Sequence, residues 1–86
     1  MQVDLDTLRQ RVIDATQKSP LAAHVENVTI EADRDAEGAD FLRVILQIKD
    51  RGNPDEADFE SLLEKIERAV GDVDDRYPSV RFSDAA

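Results

Sequence analysis

Residues 41–49, FLRVILQIK, decide the fold. Leu42, Val44, Leu46 and Ile48 alternate along one side of an extended chain, which is the period of a β-strand. Phe41 and Ile45 fall on the opposite side, among Arg43, Gln47 and Lys49. A strand with apolar groups on both faces is central in its sheet or meets a second partner. Working outward, residues 25–33, VENVTIEAD, also alternate, with Val28, Ile30 and Ala32 on one side and Thr29, Glu31 and Asp33 on the other. Residues 34–40 between the two segments are short and polar, so the pair reads as an antiparallel hairpin.

Downstream lies the start of a helix, DRGNPDEADF, residues 50–59. Asn53 suits the N-cap, Pro54 the first helical position, and Glu56 completes an Asn-x-x-Glu capping arrangement. Phe59, Leu62, Leu63, Ile66, Ala69, Val70 and Val73 follow at intervals of three and four, and Glu64 can pair with Arg68 across one turn. Gly71 suits a C-cap, although Val73 and Tyr77 continue the period and leave the end open. Pro78 breaks the pattern, and SVRF, residues 79–82, makes a last strand with Val80 and Phe82 inward. Upstream, residues 4–18 carry Leu5, Leu8, Val12 and Ala15 at helical spacing with Ile13 beside them. Asp4 or Asp6 can cap that helix, and Ser19-Pro20 stops it.

The element order is α-β-β-α-β. A helix of this length between the second and third strands is a crossover, which sets the third strand parallel to the second, with right-handedness preferred. The expectation is an α+β two-layer sandwich: a three-stranded mixed sheet in sequence order, with both helices on the face of Leu42, Val44, Leu46 and Ile48. Eighty-six residues make a single domain, 1–86.

Twenty acids against eleven bases give a formal net charge of −9. A field of that sign opposes nucleic acid and anionic membrane, and favours a basic protein partner or simple solubility. Without cysteine, thiolate metal sites, disulfides and a thiol nucleophile are excluded. No apolar run approaches the roughly 20 residues of a membrane span, and MQVDLDTLRQ is too acidic for a signal peptide, so a soluble cytoplasmic protein is expected.

Candidate chemistry is sparse. Asp33, Asp35 and Glu37 followed by Gly38 imitate the opening of a calcium loop, yet the twelfth position counted from Asp33 is Val44 rather than a bidentate acid. The flanks are strands, and DAEG is good turn material, so an acidic turn is the preferred reading and no metal site is assigned. His24 is the only histidine, the three glycines lie far apart, and no serine stands in a nucleophile setting. Neither an enzyme nor a cofactor is expected.

The opposite sheet face, with Phe41, Ile45, Thr29 and Val25, is left without a helix. It is the expected surface for self-association, with Phe41, Arg43 and Ile45 at its centre. Asp72, Asp74 and Asp75 stand at a helix C-terminus, where anions are disfavoured, and form a second candidate contact that would guide a basic partner.

The helix-strand-strand-helix-strand order resembles two known designs. One is the type II KH-like arrangement of small RNA-binding domains, which would imply a nucleic-acid module using Arg43, Lys49, Arg51 and Arg81. The other is the cytosolic domain of cation-efflux transporters, a metallochaperone-like dimer whose metal-binding histidines have no counterpart here beyond His24; a metal-sensing domain would instead use the Asp33–Asp40 loop. DFLRVILQI, the acidic second helix and the ending RYPSVRFSDAA also look like small bacterial proteins encoded near toxin-type genes. That likeness implies an antitoxin-like or adaptor role. The leading expectation is a small, acidic, non-catalytic protein-binding module, self-associating as a homodimer. A nucleic-acid module and a metal-responsive domain are the alternatives.

Overall fold

The computed structural model describes residues 2–49 and 55–84. Its elements run α1 (Leu5–Gln17), β1 (Val25–Arg34), β2 (Asp40–Ile48), α2 (Glu56–Gly71) and β3 (Tyr77–Asp84). The sheet order is β1-β2-β3, with β1 antiparallel and β3 parallel to the central β2. α1 lies over β1, α2 over β3, and the helices pack on each other, which is the expected two-layer α+β arrangement.

The alternation in β2 is what builds it. Leu42, Val44 and Leu46 are fully buried, as are Leu8 and Val12 of α1 and Leu62, Ile66 and Val70 of α2. These side chains meet in one cluster that Val28 and Ile30 of β1 also join. Phe59 and Phe82 pack edge to face, centroids 5.0 Å apart, and fasten the start of α2 to β3. Arg9 donates from Nε to the Val28 carbonyl at 2.8 Å, fastening α1 to β1.

Several local expectations change. Asp4 caps α1, its Oδ1 accepting from the Thr7 N–H at 2.9 Å. Leu5 is exposed, and the buried stripe of α1 ends on Thr16 instead of Ala15. The Thr16 hydroxyl tolerates burial because it donates to the Val12 carbonyl at 2.8 Å. Ser19 bonds back to Thr16, also buried, and turns the chain so that Leu21 enters the core. Asp55 occupies the N-cap position of α2, later than expected and without a side-chain capping bond; Asn53 and Pro54 lie outside the described residues. Gly71 is its last residue, and Asp72 follows in right-handed conformation, so no left-handed glycine cap is used. Among the described residues, Glu64 and Arg68 form no ion pair. Tyr77 and Pro78, read as the continuation and breaker of the helix, belong to β3. β3 is an edge strand, and an edge is where a missing N–H is tolerated.

Candidate functional site

Strand register assigns the residues of the uncovered sheet face. Asp33, Phe41 and Tyr77 form one row across the three strands. Glu31, Arg43 and Ser79 form the next, and Thr29, Ile45 and Arg81 the third. Phe41 is only 9% exposed although no helix covers it. Its ring stacks on Tyr77, centroids 5.3 Å apart and planes 12° from parallel. The Arg43 guanidinium sits 5.4 Å from the same ring centroid. Arg43 also reaches Asp33 at 2.7 Å and Glu31 at 3.6 Å on the neighbouring strand. The Arg34 N–H, and then Arg43, hold the Asp33 carboxyl below its ordinary value.

The aromatic row continues into the hairpin. The Tyr77 hydroxyl donates to Asp35 Oδ2 at 3.0 Å. Burial first, and then the Asp35 carboxylate beside it, raise the Tyr77 hydroxyl above its ordinary value. Asp35 Oδ1 accepts from the N–H groups of Glu37 and Ala39, both at 2.9 Å. Gly38 takes a φ of +85°, the left-handed conformation that glycine adopts without strain. Residues 35–39 are therefore the Asx-stabilised turn that the sequence favoured, with the carboxylates of Asp33 and Asp35 engaged in closing it and in bonding the sheet face. Among the described residues, no group of three or more His, Asp or Glu side chains converges as a metal site.

The expected acidic patch divides. Asp72 and Asp75 are exposed, but the Asp74 side chain is fully enclosed and is withdrawn from any contact with a partner. It accepts from the Val3 N–H at 2.8 Å, the Arg76 N–H at 2.9 Å, and Arg76 Nε and Nη2 at 3.0 and 2.8 Å. Arg76 Nη2 donates also to the Val3 carbonyl at 2.9 Å. The pair is a clamp that fixes the N-terminal segment to the turn between α2 and β3. The Arg76 guanidinium dominates in holding the Asp74 carboxyl far below the usual carboxylate range, against the opposing effect of burial.

Phe41, Arg43 and Ile45 thus stand together on the open face, while Asp72, Asp74 and Asp75 lie at the end of α2 and in the turn before β3 and do not extend it. Sequence reasoning missed Tyr77, because it fitted the helical period of the preceding segment, and named Arg81 only for a nucleic-acid surface. The cross-strand partners Glu31 and Asp33 were legible once the hairpin register is counted. Those two acids also offset, from β1, the charge of Arg43 that a KH-like surface would need; Arg51 lies outside the described residues.

No protein-family model and no curated protein matches the chain. Among solved structures, a copper form of the MamM C-terminal domain aligns with 95% of this chain and 97% of its own, at 11% identity and a TM-score of 0.50. Two single-residue variants of the same domain align at 18% and 17% identity, with TM-scores of 0.48 and 0.47. The first covers 96% of this chain and 99% of its own; the second covers 94% and 90%. At these identities the likeness is one of fold alone.

Proposed function

We propose that this chain is a non-catalytic binding module that associates with a second copy of itself through the uncovered face of its sheet. The observation that supports it most is the charge of that face. A chain of net charge −9 repels its own copies, yet here Glu31 and Asp33 are matched by Arg43 and Arg81. The face also presents Tyr77, 47% exposed, two register rows from Ile45. A two-fold axis running along the strands between two stacked sheets would lay β3 of each copy over β1 of the other. Arg81 would then lie over the other copy's β1 one register row from its Glu31, and the Ile45 rows would meet at the axis.

Three strands about 4.8 Å apart and some 27 Å long offer on the order of 400 Å² per copy. That is below the roughly 800 Å² per partner of stable complexes, so the dimer is weak and concentration-dependent. Light scattering across a concentration series tests it. The mass should rise toward twice the 9.6 kDa of the chain. Ile45→Glu should hold it at one chain, while Leu5→Glu, on the outer helix layer, should leave association intact. A mass of one chain at all concentrations, or an unaffected Ile45→Glu variant, would refute the proposal. Contact with a basic protein partner is a finer extension of this reading, resting on net charge alone.

A further inference from the structure

Where the two helices lie side by side, Arg11, Asp14, Ala15 and Lys18 of α1 and its C-cap face Lys65, Arg68, Ala69 and Asp72 of α2 and its C-cap across an open groove of about 620 Å³. The helices run antiparallel there, since Arg11 bonds the carbonyl of Ala69 and Lys65 that of Lys18. The small side chains of Ala15 and Ala69 leave the floor of the groove open. Arg11, Lys18, Lys65 and Arg68 supply four positive charges against the two carboxylates Asp14 and Asp72, an excess of two on a protein of net charge −9.

These cations differ from the three arginines that the fold pairs with acids. Arg34, Arg43 and Arg76 all rest on carboxylates. Among the described residues, none of the four groove cations stands in an ion pair. Two are nonetheless oriented. Arg11 Nε is held by the Ala69 carbonyl at 2.9 Å, which leaves its terminal nitrogens for another acceptor. Lys65 Nζ lies 3.3 Å from the Lys18 carbonyl, at the end of α1. Asp14 is already engaged, accepting from Gln10 at 3.0 Å.

We infer that this groove binds a small molecule carrying two or more phosphoryl groups. Guanidiniums and ammoniums held around a concavity are the chemistry that recognises phosphate, and Arg11 and Arg68 can each offer a planar fork to its oxygens. The volume is that of a small-molecule cleft. An extended polyanion, whether RNA or an acidic peptide, is disfavoured because it would continue from the groove onto the exposed Glu60, Glu64 and Glu67 of α2. A compact anion meets the net positive charge of the groove without reaching those glutamates. The groove lies in the helix layer, away from the open sheet face, so occupancy and self-association are separable.

An NMR titration of the full chain with pyrophosphate, and in parallel with ATP, tests this at constant ionic strength. Saturable shifts should be confined to residues 11–18 and 65–72. Arg68→Gln or Lys18→Gln should weaken the dissociation constant on the order of tenfold with the melting temperature unchanged. Equal affinity for both probes assigns recognition to the phosphates, and tighter ATP binding adds a contribution from the nucleoside; both support the inference. Shifts scattered over the chain, absence of saturation at millimolar probe, or indifference to both variants would overturn it. Tighter binding of an oligoglutamate peptide in the same groove would also overturn it, in favour of a peptide ligand.

Discussion

Two groups of cations in this molecule are treated in opposite ways. On the sheet, Arg43 lies on the ring of Phe41 and against Asp33 and Glu31, and at the N-terminal clamp Arg76 grips the enclosed Asp74. Across the helices, Arg11, Lys18, Lys65 and Arg68 border a groove with a positive excess. A compensated guanidinium contributes to holding the fold, and an uncompensated one keeps its hydrogen-bonding capacity for something else. The contrast is physical, since neutralisation within the chain removes the field that an external anion would feel.

The sharpest way to break the compensated class is Asp74→Ala. It strips an enclosed guanidinium of its carboxylate and leaves the Val3 N–H without its acceptor, so the expected loss is about 3 kcal/mol or more. For a chain of this size the melting temperature should fall by about 15 °C. A loss under 1 kcal/mol would mean that the clamp is ornamental. Acid titration probes the same pair without a cavity. Because the folded Asp74 carboxyl is depressed, its stabilisation is complete above the unfolded carboxylate value near 4 and is lost as pH falls below it. Stability should therefore drop below about pH 4, and more gently in an Asp74→Asn variant.

Arg43→Ala is the intermediate case. Its side chain is one-third exposed and its partners about half exposed, so solvent screens the ion pairs and about 1 kcal/mol should be lost. Near-ultraviolet circular dichroism should change as well, because the Phe41–Tyr77 stack loses the group above it. Arg68→Gln is the smallest. With no ion pair to lose, it should shift stability by less than about 0.5 kcal/mol. A large loss there would place the groove cations with the structural ones and erase the distinction between the two groups.

Much of the fold was legible because β2 alternates so cleanly. Leu42, Val44, Leu46 and Ile48 required a helix layer on one side, and Gly38 with Asp35 announced the turn. What stayed hidden depended on contacts remote in sequence. Asp74 looked like one member of an acidic run because the N-terminal part of its enclosure, Val3, lies 71 residues away and supplies one of its four hydrogen bonds. Tyr77 fitted a helical period until its pairing with Phe41 made it a strand residue. Phe41 looked exposed for want of a helix, whereas its own sheet neighbours cover it. The groove is invisible in one dimension, because neither Arg11 and Lys18 nor Lys65 and Arg68 are unusual on a solvated helix. Only the antiparallel packing of α1 on α2 sets the four together.

The most direct test of the central claim is an isotope-filtered NMR experiment on a mixture of labelled and unlabelled chain at high concentration. Association through the sheet predicts intermolecular contacts from Tyr77 and Ile45 to β1 and β2 of the other copy, and none among the helices. Intermolecular contacts confined to α1 and α2, or their complete absence, would contradict it.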